Sequence, residues 1–425
     1  MTVNQIGTVV HAADLHLGAP LDSLGTRIDA AKAQRLRELS VGAFDNLIDL
    51  VCDRQASALV LAGDVYDGAQ REVSAQLRFA RGMERLDGLG IRVFIAHGNH
   101  DPIVANYRPA KTLPSNVTVF APKAVQVHDV TLANGDPLHI AGISFEVEHE
   151  LHNLAQRFAS LQVAPERCIG VLHANLEGHS GHDPYAPCSH SDLELAPVAY
   201  WALGHVHLRS VGNFGPNRWW AYSGNLQGRS SKPAECGSKG AWVVPITAAG
   251  VGRPEFVACD TVRFVRLDVD VAGAATIGGA FELLEASLTA AVTDAEGRPV
   301  VARVRFTGAT TAHAAISGEA ARLTELAREH LGRVLGDGEL LKVEDATRPT
   351  IDRAQLLARG DLLSALLERL DALAGDDTPL VDTVRDDLDA KTLKLLDTLS
   401  DRDPTARASL LAGVEQLLLT RMADQ

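Results

Sequence analysis

Residue types that commonly bind metal ions follow five separate apolar runs of the sequence. Each run is continuous rather than alternating, which is typical of a strand buried on both faces. Because open α/β sheets place their sites at the carboxyl ends of strands, we expect the polar side chains at these ends to face a common crevice. They carry oxygen and nitrogen donors and no sulfur, and they are Asp14, His16, Asp64, Asn99, His173, His205 and His207.

Seven candidate ligands are more than one ion needs, so the set favours two divalent ions that share a carboxylate. Mixed carboxylate and imidazole ligation suits manganese, iron or zinc better than calcium or magnesium alone. Two metals about 3.5–4 Å apart stabilise both the attacking and the leaving oxygen of an in-line displacement at phosphorus. A single histidine after a strand is more often an interior residue, and only the conjunction of five motifs predicts hydrolysis of a phosphoester.

Spacing within the motifs supports a shared site. In an extended chain, residues i and i+2 point the same way, so both members of the Asp-x-His and His-x-His pairs can reach one point. Glycines also come directly before or close to candidate ligands, at Gly63, Gly98 and Gly204. A residue without a Cβ lets the backbone turn sharply or lets a neighbour approach closely, and we expect one of these roles at each position.

The elements that must position these residues read as strand, helix, strand over the first 250 residues or so. An amphipathic stretch over residues 30–52 predicts a helix between the first two buried strands. Further strand-like runs are too many for one simple parallel sheet, so we expect an α/β fold of two packed mixed β-sheets flanked by helices, in the manner of a sandwich. The predicted strands cover residues 8–10, 58–62, 93–96, 117–120, 125–127, 138–143, 169–172, 200–203, 219–222 and 241–246.

The sequence pattern changes near residue 260. Residues 262–270 and 300–306 alternate like half-exposed strands, and helical patterns near 281–292 and 319–334 complete a small β-α-β-α unit. From residue 352 the leucine spacing predicts three helices. We therefore expect three parts, a core over 1–258, a small α/β capping domain over 259–350 and a helical region over 351–425.

Charge limits the ways in which this chain could bind DNA. The sequence has 40 Lys and Arg against 54 Asp and Glu, a net charge of −14, so its overall field does not attract nucleic acid. Residues 201–240, however, hold five basic residues, one acidic residue and three tryptophans. Such a segment suits phosphate contact and base stacking, and an ordinary basic loop with core tryptophans is the alternative. The sequence predicts Arg218 and Arg229 as DNA-binding residues.

Cysteine usage favours a reducing compartment. The five cysteines stand singly and their number is odd, so neither a disulfide framework nor a thiolate zinc site is indicated. We expect no signal peptide, because the first residues lack a basic region and the apolar stretch after them is interrupted by His11 and Asp14. We also expect no membrane span, because the chain contains no apolar run of about 18 residues. These patterns predict a cytoplasmic protein.

Taken in order, the motifs resemble those of the calcineurin-like metallophosphoesterases. The matching motifs are Asp14-Leu-His-Leu-Gly, Gly63-Asp-Val-Tyr-Asp, Gly98-Asn-His-Asp, Val171-Leu-His and Gly204-His-Val-His. The Leu-Gly extension of the first motif and the run over residues 222–230 are similar to the SbcD nuclease subunits and their YhaO-like relatives. Beyond residue 260 only the layout is similar. The protein phosphatase branch is disfavoured, because the second motif continues as Gly-Ala where that branch has Arg-Gly.

This resemblance implies roles for individual residues. One metal, usually Mn²⁺ in the family, would be held by Asp14, His16, Asp64 and His207, and a second by Asp64, Asn99, His173 and His205. His100 would stabilise the transition state or protonate the leaving oxygen, and Asp101 would orient the His100 imidazole, with a helix cap or turn as its alternative role. Asp67 stands where some relatives have a histidine linked to exonuclease action, which leaves the balance of exonuclease and endonuclease activity open.

The leading expectation is a two-metal DNA exonuclease or endonuclease subunit in double-strand-break repair. The resemblance implies an SMC-like ATPase partner similar to SbcC or YhaN, docked on the helical region over 351–425. A bundle that packs on the enzyme, or that forms a homodimer, is the alternative for that region. Two other functions stay open at this point, namely a phosphodiesterase for nucleotides or other small substrates, and a non-catalytic scaffold that binds DNA ends.

Overall fold

The computed structural model describes residues 5–19, 21, 29–68, 72–103, 110–177, 184–350, 353–374 and 411–415. By their internal contacts the described residues separate into two units. The first unit contains the residues up to 266 together with 288–303 and 333–341, and the second contains the rest. Across the described ranges, no helix is both long enough and apolar enough to cross a membrane.

Thirteen strands of the first unit form two sheets. All five buried runs predicted at the candidate ligands are strands. In chain order the strands are β1 (Gln5–Ala12), β2 (Ala58–Ala62), β3 (Arg92–Ala96), β4 (Val117–Val119), β5 (Gln126–Thr131), β6 (Pro137–Gly142), β7 (Cys168–His173), β8 (Tyr200–Gly204), β9 (Ser210–Asn213), β10 (Trp219–Tyr222), β11 (Gly240–Thr247), β12 (Gly250–Val251) and β13 (Glu255–Ala258).

Both sheets are mixed. The first has the order β12-β11-β1-β2-β3-β4, with β13 paired to β11. Strands β1 to β4 run parallel, and β11 runs antiparallel to β1. The second sheet has the order β5-β6-β7-β8-β10-β9, in which β6, β7, β8 and β10 run parallel. The parallel strands therefore end at one edge in each sheet, where the candidate ligands follow.

One apolar layer joins the two sheets. Val60 and Phe94 of the first sheet share a buried cluster with Ile140, Val171 and Ala202 of the second. Continuous burial of β2, β7 and β8 follows from this arrangement, because each strand has the sandwich interior on one face and helices on the other. The predicted pair of packed sheets is confirmed.

Helices cover the outer faces, as expected. They are α1 (Ala30–Ser40), α2 (Gly42–Asp53), α3 (Val73–Asp87) and α4 (His190–Leu195). Phe44 of α2 and Phe79 of α3 pack on Leu59 and Leu61 of β2. The single helix predicted over residues 30–52 is instead two helices that break at Val41, and Gly42 begins the second helix where a Cβ would lie 3.4 Å from the Thr261 methyl group.

The remaining elements come after residue 262. They are β14 (Arg263–Asp270), α5 (Ile277–Asp294), β15 (Val300–Thr307), β16 (Ala309–Thr310), α6 (His313–Gly318), α7 (Leu323–Leu331), β17 (Glu339–Asp345), β18 (Arg348–Pro349), α8 (Arg353–Ala358) and α9 (Leu362–Ala374).

This part of the chain differs from the expected β-α-β-α unit, because its sheet has a third strand and because a further short helix, α6, comes before α7. The sheet has the order β14-β15-β17, and β16 pairs separately with β18. The helix expected over 319–334 is the shorter α7, because the chain turns at residues 319–322, and α6 is an additional helix before that turn. Of the three helices expected from residue 352, the first, with leucines over 356–370, is instead the two helices α8 and α9. The second, near 393–399, lies outside the described residues, and residues 411–415 of the third are helical. The boundaries at 258 and 350 stay predictions.

Candidate metal centre

The expected convergence of strand ends is present in the structure. In the first sheet, β2 lies parallel between β1 and β3, so the segments after all three strands leave at one edge. In the second sheet, His173 at the end of β7 pairs with Gly204 at the end of β8. The loops are then joined by backbone bonds, such as the one that the Asp14 N–H donates to the Gly63 carbonyl over 3.0 Å.

Four side chains predicted for the first metal lie together. His16 Nε2 is 3.2 Å from His207 Nε2, and His207 Nε2 is 3.9 Å from Asp14 Oδ1. His16 Nε2 is also 3.9 Å from Asp64 Oδ2. Asp14, His16 and Asp64 are buried, and His207 is half-buried.

The four residues predicted for the second metal also lie together, with His173 between Asp64, Asn99 and His205. His173 Nε2 lies 3.5 Å from Asp64 Oδ2 and 3.0 Å from Asn99 Oδ1. The His205 ring centroid is 5.3 Å from that of His173, and the His205 N–H donates to the Asp14 carboxylate over 3.0 Å. Asp64 Oδ2 thus contacts both groups, which is the position that a bridging carboxylate requires.

The three glycines noted in the sequence lie against these side chains. A Cβ at Gly98 would lie 2.4 Å from Asp64 Oδ1, and a Cβ at Gly63 would lie 2.1 Å from His173 Nδ1. At Gly204 it would lie 1.8 Å from a backbone oxygen of β2. No real Cβ tolerates such distances, so the expected close approach of neighbours is confirmed at all three positions.

Backbone strain is concentrated at the candidate ligands. Left-handed conformations of residues other than glycine cost about 1–3 kcal/mol each and persist only where surrounding contacts hold them. Such a contact is the hydrogen bond that the His16 N–H donates to the Asp64 carbonyl over 3.0 Å. The strained residues and their φ angles are Asp14 (49°), His16 (45°), Asp64 (52°) and His205 (100°).

Hydrogen bonds behind the imidazoles determine which nitrogen faces the centre. His16 Nδ1 lies 3.0 Å from Asp67 Oδ1, and His207 Nδ1 lies 2.7 Å from Glu235 Oε1. Because an ionised carboxylate only accepts hydrogen bonds, each Nδ1 carries a hydrogen, and each Nε2 faces the centre.

That tautomer assignment tests whether the residues fit a metal ion. His16 Nε2 and His207 Nε2 lie 3.2 Å apart, close enough for one cation to bind both nitrogens. Two nitrogens at about 2.1 Å from one ion are about 3 Å apart when they subtend a right angle. The donor set therefore fits a divalent cation.

Electrostatics lead to the same conclusion. Burial, followed by the charge of Asp64, raises the pKa of Asp14, and burial also raises the pKa of Asp64. Burial lowers the pKa of His16 and that of His173 to about 4, so both rings are neutral near pH 7. Buried carboxylates beside neutral imidazoles are costly alone, and bound cations reverse that cost.

His100 lies beside the side chains predicted for the first metal, and the carboxylate that contacts its ring is that of Asp67. His100 Nδ1 is 3.3 Å from Asp67 Oδ1, and this contact raises the pKa of His100. Asp101 is fully buried and accepts N–H bonds from Val65 and Gly98, both over 2.9 Å. These N–H bonds are those of a turn residue, and the role of Asp101 toward His100 stays a prediction.

Two carboxylates that hold imidazoles were missed as site residues. Asp67 follows Asp64 by three residues within the second motif, so its position in that motif could have identified it as a site residue. Glu235 is 28 residues from His207 and appears in the sequence only as the single acid of a basic segment. No local pattern distinguishes it from a surface residue.

The two arginines predicted to bind DNA have different surroundings. Arg229 lies at the metal centre, with guanidinium nitrogens 3.7 Å from Asp67 Oδ1 and 3.9 Å from Glu235 Oε1. Arg218 donates to the carbonyls of Glu194 and Ala196 at the end of α4. Their role in DNA binding stays a prediction. Of the nearby tryptophans, Trp201 is a core residue, as in the alternative interpretation.

Comparison with protein families matches both parts of the chain. Residues 7–209 match the family of calcineurin-like phosphoesterases. Residues 264–348 match the middle domain of the metallophosphoesterase YhaO.

Comparison with individual proteins finds relatives of the same kind. The uncharacterized metallophosphoesterase YhaO of Bacillus subtilis is 33% identical over 301 residues, which are 71% of this chain and 72% of that protein. The DNA double-strand break repair protein Mre11 of Methanocaldococcus jannaschii is 23% identical over 51% of this chain and 56% of its own length. Its counterpart in Sulfurisphaera tokodaii is 26% identical over 48% of this chain and 49% of its own length.

Proposed function

Since the chain belongs to the calcineurin-like metallophosphoesterases and is YhaO-like, we propose that it is a two-metal nuclease that hydrolyses phosphodiester bonds in DNA. One observation carries the proposal: Asp64 Oδ2 lies 3.9 Å from His16 Nε2 and 3.5 Å from His173 Nε2, so one carboxylate serves two groups of donors. DNA as substrate is supported by the similarity to two proteins named for double-strand break repair.

The donors divide into two sets around Asp64. The first metal, for which we propose Mn²⁺, is assigned to Asp14, His16, Asp64 and His207, and the second to Asp64, Asn99, His173 and His205. When bound, two such ions supply Lewis acidity that activates water and balances the charge at phosphorus.

His100 acts as the proton donor in this proposal. Its side chain is 44% exposed, so substrate can reach it, and it lies beside the metal centre with its ring centroid 4.7 Å from that of His16. The Asp67 carboxylate stabilises the protonated ring and holds Nδ1, which leaves Nε2 to give a proton to the leaving oxygen. Asp101 supports the turn that carries His100, because its carboxylate accepts the N–H bonds of Val65 and Gly98.

Assembly with an SMC-like ATPase that resembles SbcC or YhaN is part of the proposal, in the cytoplasm and with the helical region over 351–425 as docking segment. Its support is the similarity to Mre11 proteins and the order of the three predicted parts. Residues 375–410 and 416–425 of that region lie outside the described residues. Co-purification of the native protein from its host tests the partner.

An assay with three substrates tests the function. Purified protein is incubated with Mn²⁺ and a labelled DNA duplex, a DNA hairpin or a cyclic nucleotide, beside the His100→Ala variant. Nuclease activity that falls in the variant supports the proposal. Turnover of the cyclic nucleotide without nuclease activity would favour the small-substrate phosphodiesterase, and DNA binding without any turnover would favour the scaffold.

A matched histidine variant serves as the control. His152 contacts a carboxylate, Glu150 Oε1, at 2.7 Å as His100 contacts Asp67, but its side chain is 83% exposed. His152→Ala should retain nuclease activity. An equal loss in both variants would remove the argument for His100.

A further inference from the structure

Arg229 lies between the two carboxylates that hold the imidazoles of the first metal position. We infer that Asp67, Arg229 and Glu235 form an ion-pair bridge that positions His16 and His207, and that this bridge sets the affinity of the first metal position but not of the second. The inference rests on the proposed dimetal site. It assigns Arg229 a positioning role instead of the DNA contact expected from its charge.

The contacts form a continuous path. His16 Nδ1 is 3.0 Å from Asp67 Oδ1, from which the Arg229 guanidinium is 3.7 Å away. A second guanidinium nitrogen is 3.9 Å from Glu235 Oε1, which lies 2.7 Å from His207 Nδ1. Because the two rings meet again through their Nε2 atoms at 3.2 Å, the path closes into a ring of five side chains.

Glu235 is held firmly enough to position an imidazole. Its second oxygen accepts the Arg229 backbone N–H and the Asn225 amide, both over 2.8 Å. The Lys239 ammonium, which is 2% exposed, donates to the carbonyls of His207 and Ala234 and so joins the two chain segments directly. Arg229 and Lys239 thus place two positive charges beside one buried carboxylate.

The second metal position has a different support. His173 Nδ1 contacts a backbone carbonyl, that of Ala62, at 2.9 Å. A backbone carbonyl orients the ring without an ionisable partner and does not depend on Arg229. Partners behind a ligating histidine typically change metal affinity by 10–100-fold. The two positions should therefore respond differently when the bridge is broken.

Binding of Mn²⁺ alone, measured by calorimetry and by electron paramagnetic resonance, tests the inference without any turnover. Wild-type protein should bind two ions and show a coupled dinuclear signal. In Arg229→Met and in Glu235→Gln, the affinity for one Mn²⁺ should fall 10–100-fold, while the affinity for the other should stay within about twofold of the wild-type value. At one ion per chain, these variants should show the signal of an isolated Mn²⁺.

Two further variants assign and control the effect. His173→Gln should lower the Mn²⁺ affinity of the second metal position. The double variant with Arg229→Met should therefore bind no Mn²⁺ tightly. Asp129→Asn removes the charge from a histidine-carboxylate pair of the same 2.7 Å length, with His139 on β6, and should leave both Mn²⁺ affinities unchanged.

The outcomes separate this inference from the proposed function. A wild-type protein that binds fewer than two ions overturns the dimetal site itself. Two ions in the wild type, with both Mn²⁺ affinities unchanged or equally lowered in Arg229→Met and Glu235→Gln, overturn only the bridge. Glu235→Gln keeps an acceptor for His207, and Arg229→Met keeps the length of the side chain. The same change in Mn²⁺ affinity in both variants would therefore come from the lost ion pair rather than from a disturbed fold.

Discussion

The Nε2 atoms of His16 and His207 lie 3.2 Å apart although 191 residues separate them in the sequence. Each ring is held from behind by a carboxylate, at 3.0 Å and 2.7 Å. Both Nε2 atoms therefore face one place, where a single cation can bind them together. The stability of the protein should therefore depend on metal.

Mn²⁺ should raise the free energy of unfolding. A ligand at 100 times its dissociation constant adds about 2.7 kcal/mol when it binds only the folded state. Thermal unfolding of the wild type with Mn²⁺ and with chelator measures this shift. Asp64→Asn, which weakens the shared carboxylate, should lose most of it, whereas Asp129→Asn should keep it. An undiminished shift in Asp64→Asn would contradict the bridging position.

Gly98→Ala should disable the centre more than it destabilises the fold. The added methyl group would lie 2.4 Å from Asp64 Oδ1 and 2.8 Å from His173, so both side chains must move. Overpacking of this kind costs about 1–3 kcal/mol of stability. We expect Mn²⁺ binding and activity to fall at least tenfold, measured beside Gly273→Ala, where no atom lies within 4 Å. Equal behaviour of the two variants would be inconsistent with this geometry.

Loss of His100 should depend on the leaving group. General acid catalysis typically contributes about 10²–10⁴-fold, and it matters most when the departing oxygen is strongly basic. His100→Ala should therefore lose more activity on DNA than on bis(p-nitrophenyl) phosphate, and should bind Mn²⁺ as the wild type does. Steady-state rates on both substrates decide this, and equal losses would assign His100 a role other than proton donor.

His11 should make the metal-free protein less stable in acid. Burial lowers its pKa from 6.5 to about 3, and its Nδ1 lies 2.9 Å from the Tyr200 hydroxyl. The pKa of His11 is lower in the folded protein than in the unfolded chain, so the unfolded chain takes up a proton first as the pH falls. The free energy of unfolding therefore decreases below pH 6.5, by about 1.4 kcal/mol per pH unit.

The His11→Asn variant isolates this contribution. Its free energy of unfolding should be lower than that of the wild type at pH 7, since the smaller side chain leaves space. The difference should shrink towards pH 5, because only the wild type loses the contribution of His11. Urea denaturation of both proteins in chelator at the two pH values measures the change. A deficit that does not vary with pH would show that His11 does not take up its proton on unfolding.

Much of the centre could be read from local pattern. Candidate ligands such as His173 and His205 come at the ends of strands, and a buried strand is visible in the sequence as a continuous apolar run. The glycines at 63, 98 and 204 follow from the same local rule. Breaks in helices were less visible, because the end of α1 at Ser40 depends on how the next turn packs against Thr261.

The sequence by itself determined which residue types stand at the strand ends and hence what chemistry the centre can support, since both are properties of a few neighbouring residues. Only the tertiary structure decided that Asp67 contacts His100, and that Glu235 and Arg229 stand behind the proposed first metal position. These pairings depend on how separate loops lie against each other, and that is determined by the packing of the whole sandwich rather than by any single segment.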